Sequence, residues 1–150
     1  MEMAVFSTFK RLFEYITGAN ENGTTIEMTA PVIIKSKTTK GWFERCNYTM
    51  SFLLPSEYQM NPPKPTNTQV YISEEPDMKV YVKSYGGLMI SSSHMWNTRD
   101  LTQTLNSVGA KYDKDFHFAV GYDSPMKIFN RHNEVWFVAT GEPVCPVTTA

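Results

Sequence analysis

The first apolar pattern along the chain predicts an amphipathic helix over residues 4–17. Its apolar side chains recur at steps of three and four residues, the spacing of a helix face: Val5, Phe6, Phe9, Leu12, Phe13 and Ile16. Gly18 follows at the position where helices commonly end. The apolar stripe is wider than one packed face requires, so the same residues are candidates both for the core and for contact with a ligand.

A second helix is predicted over residues 98–108, where Leu101, Leu105 and Val108 are spaced along one face. Asn97 precedes this segment and is the expected N-cap. Gly109 follows it and is expected to end the helix.

Strands are predicted where apolar and polar residues alternate or where a short apolar run occurs: residues 25–34, 48–54, 70–72, 78–85, 88–93, 116–122 and 135–138. The segment 135–138 is apolar on both faces, so we expect it to be a central strand. Polar residues 19–24 predict a turn, and the prolines between residues 55 and 69 predict a stiff, extended connector.

The order of these elements repeats along the chain. Each predicted helix is followed by a glycine, a strand and a proline, which is Pro31 in the first half and Pro125 in the second. We interpret the chain as two copies of a strand-strand-helix-strand-strand unit related by a pseudo-two-fold axis, with the first copy short of two strands. This interpretation predicts equivalent positions for Pro31 and Pro125.

Length and composition narrow the class of protein. A chain of 150 residues predicts one domain, here residues 1–142, followed by a flexible tail over 143–150. The net charge of −1 argues against binding to nucleic acid or to an anionic membrane. No apolar run reaches the roughly 18 residues of a membrane-spanning helix. Two widely spaced cysteines, Cys46 and Cys145, and the lack of a secretory signal predict a cytoplasmic protein.

Catalytic motifs are not found in the sequence. It contains no phosphate-binding glycine loop, no His-Glu-x-x-His zinc motif and no Cys-x-x-Cys pair, so we do not expect an enzyme. Of the three histidines, His94 ends the predicted serine-rich strand and is expected at the surface. His117 is out of phase with Phe116 and Phe118, which places it on the opposite face of its strand.

Six segments, taken together and in order, resemble one known family over residues 4–142: Ile26-Glu27-Met28-Thr29-Ala30-Pro31-Val32, Pro55-Ser56-Glu57, Asn61-Pro62-Pro63-Lys64-Pro65, Val82-Lys83-Ser84-Tyr85-Gly86-Gly87, Gly121-Tyr122-Asp123-Ser124-Pro125-Met126-Lys127 and Asn133-Glu134-Val135-Trp136. The sequence is similar to the SOUL/heme-binding protein family, and most closely to its SOUL branch. The resemblance implies an α+β fold, namely a distorted antiparallel β-barrel with two helices outside it. It also implies non-catalytic binding of heme or a related tetrapyrrole.

The resemblance further implies about two strands before the first helix, together with a histidine proposed as an axial heme ligand in the SOUL branch. Neither matches a segment of this chain. We therefore expect an open sheet edge or barrel flank, where another chain could pair.

The resemblance implies a pocket between the first helix and the loop after the penultimate strand. On this chain the helix residues are Val5, Phe9 and Leu12, and the loop residues are Met126, Lys127, Phe129, Arg131 and His132. Lys127 matches a family lysine that faces a propionate, whereas a family arginine aligns with Val5, so Arg11 or Arg131 is the expected substitute. His132 is the first candidate for an axial iron ligand, since imidazole is a common one.

Two other classes of function stay open. A pocket of the same fold could bind a small organic cation through an inward-facing acid such as Glu27. Alternatively, the helix at 98–108 could bind a protein partner in a groove, as cell-death regulators do. We expect a monomer or a weak dimer in each case.

Overall fold

The protein is described by a computed structural model over residues 2–38, 47–124 and 126–145, with the backbone alone for residues 2–4. The elements in chain order are helix α1 (Glu2–Ile16), strands β1 (Val32–Lys37) and β2 (Tyr48–Phe52), a short 3-10 helix (Ser56–Tyr58), strand β3 (Val80–Tyr85), helix α2 (Ser91–Ser107) and strands β4 (Phe116–Gly121) and β5 (Asn133–Val138). Both predicted helices are confirmed. The predicted strands around residues 32–34, 48–54, 78–85, 116–122 and 135–138 are confirmed as well.

The strands form one five-stranded antiparallel sheet in the order β2-β1-β4-β5-β3. Strand β5 is interior, as predicted: Trp136 lies opposite Val82 of β3 on one side and opposite Phe118 of β4 on the other. The sheet is open, with β2 and β3 at its edges, so the predicted barrel is not confirmed. Closing a barrel that side chains can fill takes about eight strands, and the described ranges contain five.

The predicted strand over residues 25–34 begins only at Val32, and the predicted strand over residues 70–72 does not form. Residues 25–30 contribute only an isolated bridge between Thr17 and Thr25. The N–H of Ile26 donates to the carbonyl of Ile16, so this segment packs on the end of α1 instead of joining the ladder. Residues 70–72 likewise form no strand, although Val70 is buried.

The prediction of a strand over residues 88–93 and of a helix start after Asn97 is wrong. Helix α2 begins at Ser91, because the hydroxyl of Ser93 accepts the N–H of Ile90 and so provides a capping contact. Asn97 lies inside the helix, where its amide donates to the carbonyl of Ser93 at 2.8 Å.

The chain forms two compact units, Met1–Val32 with Met50–Pro76 and Ile33–Thr49 with Asp77–Ala150. The first unit has a core of Tyr15, Ile16, Ile26 and Val70. The second has a core in which α2 and β5 meet: Leu101, Leu105, Tyr112, Val135 and Phe137.

The described residues do not test several of the predictions about domain organisation. Pro125 and Cys46 lie outside the described residues, so the equivalence of Pro31 and Pro125 and the two-copy repeat stay predictions. The same holds for one domain over 1–142 and a tail over 143–150. Of that tail the structure describes residues 143–145, and the N–H of Val144 donates to the Tyr81 hydroxyl at 2.9 Å.

The predicted turn after α1 is organised by one buried side chain, that of Asn20. Its amide nitrogen donates to the carbonyls of Tyr15 and Thr24, both at 2.9 Å. Its amide oxygen accepts the N–H groups of Asn22 at 3.2 Å and Thr24 at 3.1 Å. With 4% of its surface exposed, Asn20 satisfies one buried backbone group, the carbonyl of Tyr15, and further backbone groups of the turn that are partly buried.

We therefore expect Asn20→Ala to lower the free energy of unfolding by about 1–3 kcal/mol, because it leaves one buried carbonyl and several partly buried backbone groups without their partner. Urea denaturation measures this change. The matched control is Asn22→Ala in the same turn, where the exposed side chain predicts a change within about 0.5 kcal/mol. Equal losses in the two variants would contradict the role given to Asn20.

Candidate functional site

The loop between β4 and β5, residues 122–132, exposes apolar side chains to solvent. Met126 is 88% exposed, Ile128 69% and Phe129 79%. Scattered exposed apolar residues are ordinary, but a group of this size in one short loop marks a candidate binding surface. We call residues 122–132, without the undescribed Pro125, the β4–β5 loop.

Charged side chains fix the backbone of the β4–β5 loop. The Nη1 of Arg131 donates to the carbonyls of Ser124 at 2.8 Å and Lys127 at 2.6 Å. The Asp123 carboxylate accepts the Nζ of Lys127 at 2.7 Å and the backbone N–H of His132 at 2.6 Å. These hydrogen bonds lower the pKa of Asp123, and the bond from Lys127 is the largest cause. The polar groups of the loop thus bond inward to its own backbone while its apolar side chains face water.

A second carboxylate, Glu134 on β5, joins the base of this loop to the sheet. It accepts hydrogen bonds from the Nε2 of His132 at 2.7 Å, the indole N–H of Trp136 at 2.6 Å and the hydroxyl of Tyr122 at 3.1 Å. Burial works to raise the pKa of Glu134, but these three hydrogen bonds together lower it below its ordinary value. Burial is the largest cause that raises the pKa of Tyr122, and the hydrogen bond to Glu134 is the second.

The site residues predicted on α1 are more packed than expected. Leu12 packs against the core of the first unit. The ring of Phe9 stacks on that of Phe13 at 6.1 Å and meets the ring of Phe52 edge-on at 5.3 Å. Val5 is half-buried. The apolar surface that α1 leaves open belongs instead to two phenylalanines that were not singled out for the site, with Phe6 69% and Phe13 44% exposed.

The predicted site residues fall into two groups in different compact units. The helix group is in the first unit and the loop group in the second. Within the loop group, the structure brings Lys127, Arg131 and His132 together around Asp123 and the loop backbone. Met126 and Phe129 project from the same loop.

His132 is exposed, and its Nε2 is held by Glu134, so Nδ1 is the ring nitrogen left to face a metal ion. The other two histidines form a pair that sequence reasoning missed. His94 was expected at the surface and is instead half-buried on α2, with its Nε2 3.1 Å from the Nε2 of His117 on β4. Its helical spacing from Leu101 and Leu105 is the signal that could have placed it on the inner face.

Within residues 2–38, 47–124 and 126–145, no group of three or more His, Cys, Asp or Glu residues could hold a metal ion. Over the same residues, no helix combines the length and the apolar character that a membrane crossing requires.

The two helices, the open antiparallel sheet and the β4–β5 loop define an α+β protein in which an exposed apolar loop joins two interior strands. The model of the family described as SOUL heme-binding protein matches residues 1–138, and the chain belongs to that family.

The chain is similar to named members of this family. It is 34% identical to Heme-binding protein 2 of Homo sapiens over 142 residues, which is 95% of this chain and 69% of that protein. It is 31% identical to Heme-binding protein 2 of Mus musculus over the same shares. It is 32% identical to Heme-binding protein 1 of Xenopus laevis over 128 residues, 85% of this chain and 67% of that protein.

We expect Glu134→Gln to lower the free energy of unfolding at pH 7 by about 1–2 kcal/mol, since three donors lose a charged acceptor. The folded state lowers the pKa of Glu134, so its contribution is present above the ordinary value of 4.5 and is lost as the pH falls below it. The difference between the native chain and the variant should therefore shrink between pH 6 and pH 3 in urea titrations.

The matched control for this prediction is Glu142→Gln, which removes a carboxylate from an exposed position. Its stability should follow that of the native chain at each pH. A Glu134→Gln loss that stays constant down to pH 3 would show that the carboxylate charge is not what the three donors require.

Proposed function

We propose that the chain binds heme or a related tetrapyrrole without catalysing a reaction on it, as a carrier, buffer or sensor. Two things support this proposal: the family to which the chain belongs, and the names of its relatives. In this molecule the proposal rests on the β4–β5 loop. Three large apolar side chains of this loop are exposed to solvent, and side-chain hydrogen bonds hold the loop backbone.

The chemistry of a tetrapyrrole fits the side chains of this loop. The ligand is a flat apolar plate with two carboxylates, so it requires an apolar wall and one or two cations at the rim. Met126 and Phe129 would supply the wall, with Ile128 beside them. Lys127 and Arg131 would supply the cations.

The polar groups of the loop constrain how such a ligand binds. Lys127 is already paired with Asp123 at 2.7 Å, so a propionate would share this lysine with the aspartate. The Nε of Arg131 is buried and has no hydrogen-bond partner among the described residues, which leaves one donor of the guanidinium unused. If His132 ligates iron, it does so through Nδ1, because Glu134 holds Nε2. We therefore propose that apolar contacts provide most of the affinity.

A second candidate surface lies on α1. The predicted residues Val5, Phe9 and Leu12 belong to it, but its exposed apolar area comes from Phe6 and Phe13. Each surface is proposed separately, because the two belong to different compact units. Variants on the two surfaces therefore decide between them.

We expect a heme titration followed by Soret absorbance to saturate at one equivalent for the native chain. Phe129→Ser should weaken binding roughly tenfold or more, since burial of one phenylalanine contributes about 1.5–3 kcal/mol. Lys127→Glu should weaken it roughly tenfold at most, because an exposed ion pair contributes about 0–1 kcal/mol. His132→Ala should change the Soret spectrum only if His132 ligates iron.

The matched control is Met60→Ser, which removes an equally exposed apolar side chain, 95% exposed, from the proline-rich connector. Its heme affinity should equal that of the native chain. Loss of binding in Phe6→Ser with none in Phe129→Ser would move the site to α1. Absorbance changes that do not saturate in the native chain would refute the proposal itself.

A second candidate function is a protein-interaction module, and one observation favours it. On the outer face of α2, Met95 is 68% and Trp96 72% exposed, next to the predicted interaction segment 98–108. Exposed tryptophan and methionine are typical of surfaces that bind a partner. We also propose that the protein is cytoplasmic and that it is a monomer or a weak dimer.

A further inference from the structure

The pair formed by His94 and His117 joins helix α2 to the sheet. Their ring centroids are 5.2 Å apart, and their Nε2 atoms are 3.1 Å apart. Because the two nitrogens are much closer than the two centroids, the rings meet nitrogen to nitrogen rather than face to face. This contact crosses from the N-terminal half of α2 to β4 and lies outside both heme-binding surfaces proposed above.

Hydroxyl groups occupy the opposite sides of both rings. The Nδ1 of His94 lies 3.5 Å from the hydroxyl of Tyr85 on β3, and the Nδ1 of His117 lies 3.1 Å from that of Thr38, just after β1. A neutral imidazole has one N–H donor and one acceptor nitrogen. The facing Nε2 atoms are therefore satisfied by a single proton, which one ring donates and the other accepts.

Among the described residues, those around the pair supply no negative charge to balance protons taken up from solvent. From β5 the ring of Phe137 packs at 5.7 Å from that of His117, and Thr98 of α2 places its hydroxyl 3.5 Å from the Nε2 of His94. Among the described residues, no carboxylate forms an ion pair with His94 or with His117.

The titratable groups on the neighbouring elements do not change this balance. Tyr85 stays neutral in acid, and burial raises its pKa further. Lys83 of β3 and Asp100 of α2 neutralise each other at 2.8 Å. Asp115, before β4, contributes its backbone carbonyl to the N–H of Thr38 and is exposed. Burial lowers the pKa of His117. Burial, and secondly the charge of His117, lower the pKa of His94 to about 4.

We propose that the His94–His117 pair is a proton-sensitive latch that holds the N-terminal half of α2 on the sheet at neutral pH and releases it in acid. Both rings are neutral at pH 7.5, so one proton from solvent makes one of them an imidazolium and a further proton makes the other. Uptake of both protons would put two positive charges 3.1 Å apart in a half-buried site. The repulsion between the two charged rings is relieved when His94 leaves the site together with its turn of helix. Two imidazoles with no third ligand of the His, Cys, Asp or Glu type in the described ranges favour a proton over a metal ion.

Only part of α2 is expected to move. Its buried side chains, Leu101 and Leu105, are in the C-terminal half and pack on Val135 and Phe137 of β5. Residues 91–96 before them are exposed except for Ser93 and His94. Protonation therefore removes a contact between the first two turns of the helix and the sheet, while the hydrophobic core of the unit stays in place.

The test is hydrogen exchange of the full chain between pH 7.5 and pH 4.5, corrected for the intrinsic exchange rate. We expect protection of the amides in residues 94–100 to fall about tenfold or more, while Val135 and Phe137 on β5 stay protected. In His94→Gln/His117→Gln, where neither side chain titrates, protection of residues 94–100 should not change with pH. The control His132→Gln keeps the pair and should behave as the native chain.

Three outcomes would overturn the latch. The first is unchanged protection of residues 94–100 in the native chain down to pH 4.5. The second is an acid loss of the same size in the double glutamine variant. If that variant does not fold at pH 7.5, nitrogen-15 NMR of the native imidazoles decides. The third outcome is that His94 and His117 titrate independently near the ordinary pKa of about 6.5, without loss of helix protection.

Discussion

Strand β5 is the element on which the second compact unit depends. It pairs with β3 on one side and with β4 on the other, and its alternate residues Asn133, Val135 and Phe137 are fully buried. Its other residues, Glu134, Trp136 and Val138, face the opposite side of the sheet, where Glu134 bonds to the β4–β5 loop. A shift of the register by one residue would put the Glu134 carboxylate into the hydrophobic core, so the pairing that builds the core also positions the carboxylate.

Much of this unit could be predicted from local patterns, because apolar residues recur at alternate positions of residues 116–122 and residues 135–138 are apolar throughout. Helix α1 was predicted within two residues of its observed ends for the same reason, since its period is strong. The start of α2 could not be obtained in this way. A serine-rich stretch after Leu88 and Ile90 fits a strand as well as the first turn of a helix, and the capping bond from Ser93 decides between them.

The candidate site was predictable to a smaller extent. The resemblance to a family pointed to the apolar loop and its cations, but not to the hydrogen bonds within the loop. Those bonds depend on side chains reaching backbone groups four to nine residues away, as Arg131 and Asp123 do. The contact between His94 and His117 joins residues 23 positions apart on different elements, and no local pattern encodes such a distance. Residues 25–30 show the same limitation. The N–H of Ile26 bonds to the carbonyl of Ile16 instead of to a neighbouring strand, and the hydroxyl of Thr29 donates to the carbonyl of Leu53.

The construction of the β4–β5 loop has a consequence for how this surface can change during evolution. Its conformation is held by Asp123, Arg131 and Glu134, none of which belongs to the apolar set, and the apolar side chains contribute little to holding it. Substitutions at Ile128 or Phe129 therefore alter the shape and chemistry offered to a ligand at small cost to folding. Descendants of this sequence can explore new ligands by exchanging these exposed side chains, whereas selection for a folded chain restricts the charged residues beneath them.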